Sequence, residues 1–277
     1  IGVEPSDAYL KIKNKKISIF HSFFNKKLST KINKDHPKIN IITITNVFAH
    51  IDNIVNFTVG LKNLLNKKTV IVIEFPYLIN MINEGYFDLI YHEHLSYLSL
   101  TPLNKLFKQI GLRVFDLDKI NFGASGPSLR LYICLNNSIY KNKSIVLNLA
   151  NYEKEWGVKK LSKYKTFNKK INKNIKKLKK LILNKYKSGE KIGCFSAPAK
   201  GNTLLNFLDL DDQVISYVCE NNKLKIGKYT PGTHIKIIDD KEYLMKNITY
   251  SLLLSWNYKD YFLKNSTFIK KGGRFII

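Results

Sequence analysis

The 277-residue sequence contains little cysteine and no long apolar run, and each shortage excludes a class of protein. Its three cysteines, Cys134, Cys194 and Cys219, are odd in number and widely spaced, which argues against a disulfide framework and favours a reducing compartment. No apolar run approaches the roughly 20 residues that a membrane-spanning helix needs, and the first residues show no secretion signal. We therefore expect a cytoplasmic protein with no membrane partner.

Acidic residues and arginine are also scarce. There are 21 acidic residues against 46 lysines and arginines, so the net charge is +25, which can indicate nucleic-acid binding. Yet the arginines are limited to Arg113, Arg130 and Arg274, and nucleic-acid readers depend on bidentate arginine contacts. Lysine, asparagine and isoleucine share AT-rich codons, so base composition explains the excess more simply. A basic nucleic-acid module stays an alternative, but we expect no nucleic-acid partner.

Apolar segments of strand length alternate with segments of helical periodicity, which predicts an α/β fold with parallel sheets. The strands predicted most clearly are residues 39–45, 69–75, 192–195, 214–219 and 250–254. Between the two alternations lies a lysine-rich stretch with an apolar stripe at helical spacing, formed by Tyr164, Ile171, Ile175, Leu178 and Ile182. The stripe favours packing on a domain over binding a partner. The predicted domains are 1–137, a helical connector at 138–188, and 189–277.

The most informative feature is a run of four ionisable or phenolic residues, Tyr91, His92, Glu93 and His94. Histidine titrates near neutral pH and a carboxylate can orient it, so the run indicates proton transfer. An extended backbone would send His92 and His94 to one side and Tyr91 and Glu93 to the other. With His50 the two histidines could instead bind zinc, but no cysteine or aspartate cluster accompanies them, so we expect no metal.

Three further places carry candidate binding residues. Glu4 follows a predicted strand, where a carboxylate can accept hydrogen bonds from ribose hydroxyls or simply face solvent. Asn46 follows the strand at 39–45 and could either cap the next turn or contact a cofactor. Residues 196–202 join a strand to a helix, and small residues, a helix N-terminus and Lys200 together favour phosphate binding. The spacing is not that of a P-loop, and no G-x-G-x-x-G turn indicates a nicotinamide enzyme.

The order of the motifs resembles the S-adenosylmethionine-dependent sugar C-methyltransferases. The resemblance covers nearly the whole chain and is carried by residues 46–50, 72–77, 84–101, 196–206, 231–234, 254–257 and 272–274. It implies a class I methyltransferase-like doubly wound sheet lacking its first strand and turn, followed by a second, small Rossmann-like α/β domain. Neither the family's glycine-rich turn before Glu4 nor its cysteine-rich zinc module is present. We therefore expect an N-terminally truncated enzyme whose cofactor pocket is open on one side.

The resemblance also implies an activity and the residues that perform it. It implies methylation of a carbon of a nucleotide-diphosphate-linked 4-keto sugar through an enolate, in deoxysugar biosynthesis, with S-adenosylmethionine as cofactor. His94 would be the base, oriented by Glu93, and Tyr91 and His50 would stabilise the enolate. The cofactor-binding residues would be Glu4 and Asn46, and the substrate-binding residues Ser196, Lys200, Gly201, Asn202, Asn222 and Asn257. The alternative is a truncated protein that binds a nucleotide sugar without catalysis.

Overall fold

The computed structural model describes residues 1–12, 14, 16–123 and 126–277, and the chain forms two compact units. The first unit contains residues 1–78, 95–121 and 127–158, and the second contains residues 79–94, 122–126 and 159–277. Neither unit is a continuous segment. The run from Tyr91 to His94 therefore packs with the C-terminal part of the chain.

The first unit contains two sheets. Strands β1 (Gly2–Val3) and β2 (Ile19–Phe20) form a parallel pair. A second sheet has the order β3–β4–β6–β5 and consists of β3 (Ile41–Thr45), β4 (Val70–Pro76), β5 (Leu112–Gly123) and β6 (Gly126–Leu135). β4 is parallel to β3 and antiparallel to β6. The predicted strands at 39–45 and 69–75 are confirmed.

The helices of the first unit include α1 (Lys26–Asp35), α2 (Ile54–Asn63), α4 (Leu100–Ile110) and α5 (Ser144–Trp156). The helix α3 (Leu78–Glu84) belongs, apart from Leu78, to the second unit. In β4 the side chains of Ile71, Ile73 and Phe75 are buried at alternate positions. Between them, the buried Glu74 is paired with Arg130 of β6 at 2.8 Å, which compensates its charge.

A buried carboxylate caps the first turn of α4. Glu153 of α5 is fully buried and accepts hydrogen bonds from the backbone N–H groups of Leu100, at 2.8 Å, and Thr101, at 2.7 Å. It also accepts one from the Tyr77 hydroxyl at 2.9 Å. Burial and this neighbouring carboxylate raise the pKa of Tyr77. Ser99 occupies the position from which a serine normally caps a helix, but its side chain makes no capping bond. Glu153 therefore satisfies the amides that Ser99 leaves without a partner.

The second unit contains one parallel sheet with the order β11–β10–β7–β8–β9. Its strands are β7 (Ile192–Phe195), β8 (Ile215–Cys219), β9 (Ile237–Ile238), β10 (Tyr250–Leu253) and β11 (Arg274–Ile276). From β9 the order in sequence terms is 3-2-1-4-5, a doubly wound sheet whose direction of winding reverses between β7 and β10. Ligands of such sheets bind at the carboxyl ends of the strands beside this switch point.

The helices of the second unit include one that carries the lysine-rich stripe. Those after residue 160 are α6 (Leu161–Lys187), α7 (Ala199–Leu208), α8 (Asp240–Met245), α9 (Lys259–Asn265) and α10 (Thr267–Lys270). Ile171, Ile175 and Ile182 of α6 belong to the core of this unit, so the predicted stripe packs on a domain. The lysine-rich stretch is nevertheless divided between α5 and α6. Gly157, with a left-handed φ of 87°, caps the C-terminal end of α5. No helix in the described part of the chain combines the length and the apolar character needed to cross a bilayer.

Candidate active site

The segment from Tyr91 to His94 is a turn, so the expectation of an extended backbone is wrong. The His94 N–H donates to the Tyr91 carbonyl at 3.0 Å, which brings the side chains at its two ends together. The centroids of the Tyr91 and His94 rings lie 4.4 Å apart. His92 and Glu93, at the middle of the turn, are exposed. Tyr91 and His94 are therefore paired, instead of His92 and His94.

His94 is buried, with 8% of its surface exposed, and its ring is held on both sides. Nδ1 lies 2.7 Å from the carbonyl oxygen of Leu89. A carbonyl only accepts hydrogen bonds, so in the neutral ring Nδ1 carries the hydrogen and Nε2 carries the lone pair. The Tyr91 hydroxyl lies 3.4 Å from Nε2. Nε2 is therefore the atom of His94 that can take a proton, with a phenol beside it.

The other two predicted catalytic residues, Glu93 and His50, are not part of the Tyr91–His94 pair. The carbonyl of Leu89 supplies the orienting hydrogen bond that was expected from Glu93, which is exposed on the turn. His50 ends a short 3-10 helix, Phe48–His50, in the first unit. Catalytic roles for Glu93 and His50 stay predictions.

The loops after β7 and β10 meet at the switch point of the second unit. Ser196, which has a left-handed φ of 64°, places its Oγ 2.6 Å from Oγ of Ser255. Lys200 Nζ donates to Asn257 Oδ1 at 2.7 Å and lies 3.8 Å from the centroid of the Trp256 ring. Three predicted substrate residues, Ser196, Lys200 and Asn257, are thus brought to the place where this fold binds ligands.

Lys200 is a buried cation and not a surface lysine. Only 8% of its surface is exposed, and burial lowers the pKa of its ammonium to about 8, although the charge of Asp88 acts in the opposite direction. The indole of Trp256 and the amide oxygen of Asn257 replace part of the water that the charge would otherwise bind. At neutral pH Lys200 therefore offers a largely protonated, partly desolvated positive charge.

The remaining predicted substrate residues have structural partners. A Cβ added to Gly201 would lie 3.0 Å from Cβ and Cδ1 of Leu254, so glycine allows α7 to approach the residue after β10 closely. The Asn202 carbonyl accepts a hydrogen bond from Asn206 at 2.8 Å. Asn222 is exposed, and its side chain accepts from the Leu224 N–H at 3.0 Å. Their contact with a substrate stays a prediction.

Sequence reasoning missed Asp88. This residue is 4% exposed, and its Oδ2 accepts a 2.6 Å hydrogen bond from the indole N–H of Trp256. Burial raises the pKa of Asp88, while Trp256 and Lys200 act to lower it. The Tyr86 ring stacks on the Trp256 ring, with centroids 4.1 Å apart. The one available signal was a carboxylate inside the apolar run from Phe87 to Ile90.

Glu220 was also missed, and it organises the loop after β7. It follows β8 directly, and its Oε2 accepts from the Ala197 N–H at 2.9 Å. Its Oε1 accepts from the N–H groups of Asn221, at 2.8 Å, and Asn222, at 3.1 Å. Glu220 thereby ties the ends of β7 and β8 together. An acidic residue directly after a buried strand was the signal in the sequence.

A groove of about 1040 Å³ in the first unit is lined by sequence neighbours of the predicted cofactor residues and not by those residues themselves. Glu4 lies between two lining residues, Val3 and Pro5, and Asn46 lies between Thr45 and Val47. The backbone N–H and the hydroxyl of Ser6 donate to Glu4 Oε1 at 2.9 and 2.7 Å, which lowers the pKa of Glu4. Its carboxylate is therefore ionised at neutral pH and chemically suited to accept hydrogen bonds from a ribose.

Asn46 has a backbone role of its own. Its φ of 54° lies in the left-handed region, which asparagine tolerates, and its N–H donates to the Glu74 carbonyl at 2.9 Å. As for metals, the described residues contain no group of three or more histidine, cysteine or acidic side chains that could hold an ion.

The α/β fold of the first unit is like that of a class I methyltransferase. A family model described as a methyltransferase domain matches residues 1–117. A second model, described as a C-methyltransferase C-terminal domain, matches residues 123–277, which is more than half of the chain. The chain belongs to this C-methyltransferase family. The cofactor of such methyltransferases is S-adenosylmethionine.

The individual relatives described below share less than a third of their aligned residues with this chain. The C-methyltransferase NovU of Streptomyces niveus is 28% identical over 279 residues, which cover 100% of this chain and 66% of NovU. The chain thus spans about two thirds of that relative's length. Among solved structures, the plantazolicin methyltransferase BpumL is 14% identical, with a TM-score of 0.35 over 51% of this chain and 66% of its own.

Proposed function

We propose that this chain catalyses the S-adenosylmethionine-dependent methylation of a carbon atom in a nucleotide-linked 4-keto sugar. The observation that carries the proposal is the arrangement around His94. A buried imidazole with its Nδ1 hydrogen committed to a backbone carbonyl presents Nε2 as a base, next to a phenol. The C-methyltransferase family supports the reaction type, and the sugar substrate is our inference.

The chemistry requires a base for one C–H bond and a donor for one oxygen. A ketone acidifies the neighbouring C–H, so Nε2 of His94 can remove this proton, and the electron pair of the broken bond forms an enolate. The Tyr91 hydroxyl, 3.4 Å from Nε2, can donate a hydrogen bond to the enolate oxygen. When bound, the cofactor would supply an electrophilic methyl group: the enolate carbon would form the new C–C bond as the S–CH3 bond breaks, and S-adenosylhomocysteine would leave.

The substrate's diphosphate has a matching cation in the same unit. Lys200 is held by Asn257 and Trp256 at the carboxyl ends of β7 and β10, where doubly wound sheets bind phosphorylated ligands. A lysine that is mostly protonated at neutral pH can exchange part of its contact with Asn257 for a phosphate oxygen. These contacts support a nucleotide-linked substrate over a free sugar.

The proton-transfer step can be tested without the cofactor. The chain is mixed with a nucleoside-diphosphate-linked 4-keto sugar in deuterated water, and exchange at the carbon beside the ketone is followed by NMR. We expect exchange by the wild type and a rate lower by about 10²–10⁴-fold for His94→Gln, because a positioned general base contributes that much. The matched control is His92→Gln, since His92 is exposed on the same turn and should exchange at nearly the wild-type rate.

Two outcomes would contradict the proposal. Wild-type exchange in His94→Gln would remove His94 as the base and leave His50 as the next candidate. Binding of the nucleotide sugar without any exchange would favour the non-catalytic alternative.

A further inference from the structure

Asp88 is a buried carboxylate to which the proposed reaction assigns no role. We propose that Asp88 is a positioning residue for the diphosphate subsite, where its carboxylate holds the Trp256 indole against which the Lys200 ammonium packs. This inference rests on the proposed function, because it concerns the same substrate site.

The contacts of Asp88 tie together side chains that are distant in sequence. Its Oδ2 accepts the Trp256 indole N–H at 2.6 Å, and the Tyr86 ring, two residues before Asp88, stacks on the same indole at 4.1 Å. Trp256 in turn lies 3.8 Å from the ammonium of Lys200. Asp88 therefore fixes the aromatic surface on which Lys200 rests.

The charge of Asp88 has a separate effect on Lys200. Burial alone favours the neutral amine, and the charged group that acts against it is the Asp88 carboxylate. A neutral amine would bind a diphosphate as an ordinary hydrogen-bond partner, whereas an ammonium binds it as a counter-charge. Loss of the carboxylate should therefore weaken phosphate binding most at alkaline pH, where Lys200 begins to lose its proton.

The same short element reaches His94. Asp88 is the middle residue of the 3-10 helix Phe87–Leu89, and the carbonyl of Leu89 accepts the hydrogen bond from Nδ1 of His94. One turn thus carries, in adjacent residues, the side chain that positions Trp256 and Lys200 and the carbonyl that orients the base. Changes at Asp88 are best kept isosteric so that this carbonyl does not move.

The direct test reads the protonation of Lys200 through Trp256. In a Trp156→Phe background, the emission of Trp256 is titrated from pH 6 to 10.5. We expect a midpoint near 8 that Lys200→Met abolishes, and a midpoint at lower pH in Asp88→Asn. The control is Asp212→Asn, which removes an exposed carboxylate of the same unit and should leave the midpoint unchanged. An unshifted midpoint in Asp88→Asn, or no step that depends on Lys200, would overturn the inference.

A binding measurement separates charge from simple structural damage. Calorimetry with uridine 5′-diphosphate at pH 8.5 should show that Asp88→Asn binds about fivefold more weakly than wild type. This factor corresponds to a fall in the Lys200 pKa of the size that the loss of one neighbouring charge produces. At pH 6 the variant should bind at least as well, because Lys200 is protonated in both proteins. Weaker binding at both pH values would refute the charge mechanism. A shifted Trp256 midpoint without binding of the nucleotide would instead refute the proposed substrate and leave the coupling between Asp88 and Lys200 intact.

Discussion

Replacing Glu153 with alanine should destabilise the first unit by about 3–5 kcal/mol. The change leaves three donors without an acceptor: the buried N–H of Leu100, the buried hydroxyl of Tyr77 and the partly buried N–H of Thr101. A buried donor without a partner costs about 1–3 kcal/mol. Water can bind some of the three donors after the substitution, so we expect a total loss near the lower end of their summed cost. Glu153→Gln keeps the volume and one acceptor oxygen, so about 1.5–3 kcal/mol is expected.

Urea unfolding measures these differences. Trp156 lies in the same helix as Glu153, so its fluorescence in a Trp256→Phe background reports the first unit. Glu155→Gln is the matched control, since Glu155 is exposed and should contribute about 0.5 kcal/mol or less. Ser99→Ala should also cost less than about 0.5 kcal/mol, because the Ser99 Oγ has no hydrogen-bond partner in the described structure, whereas a capping serine contributes about 1. A loss below about 1 kcal/mol in Glu153→Ala would refute this account of the α4 cap.

Two further predictions concern α7. The folded-state pKa of Lys200 is about 8, below the ordinary value of 10.5, so between these values the unfolded chain binds more protons and stability rises with pH. Lys200→Met should lack this rise. Urea unfolding at pH 7 and pH 10 measures the pH response of each protein, and equal responses in wild type and variant would show that the reasoning is wrong. Gly201→Ala should destabilise by about 1–3 kcal/mol, because its Cβ would meet Leu254 at 3.0 Å, and an unchanged unfolding midpoint would show that α7 can shift without loss.

The regular elements could be predicted because their physics is local. Apolar runs of strand length predicted β3, β4, β7, β8 and β10, and each of these strands pairs with a neighbouring strand in a sheet. The apolar stripe of α6 predicted which side of a lysine-rich helix would be buried. Gly157 could have predicted the end of a helix, because glycine commonly follows a last helical residue. It was not used because lysines continue on both sides of it, which made the stretch resemble a single segment.

The site was predictable only in part because its contacts are not local. The residues from Tyr91 to His94 were recognised as a cluster, but the turn that pairs Tyr91 with His94 depends on one backbone hydrogen bond that no periodicity records. Asp88 and Trp256 are 168 residues apart in the chain. Glu153 is separated from the amides that it caps by more than fifty residues. Such pairs follow from the fold and not from spacing.

The choice of a carbonyl as the partner of His94 has a chemical consequence. A carboxylate at that position would fix the ring but would also add negative charge beside it, which favours the imidazolium. The Leu89 carbonyl determines which nitrogen carries the hydrogen without adding a charge, so the ring can remain a neutral base. The negative charge of this segment is placed one residue earlier, on Asp88, where it faces Trp256 and Lys200 instead. Adjacent residues of the 3-10 helix Phe87–Leu89 thus meet two different requirements. The Leu89 carbonyl orients a neutral base, and the Asp88 carboxylate supports the charged partner of the phosphate.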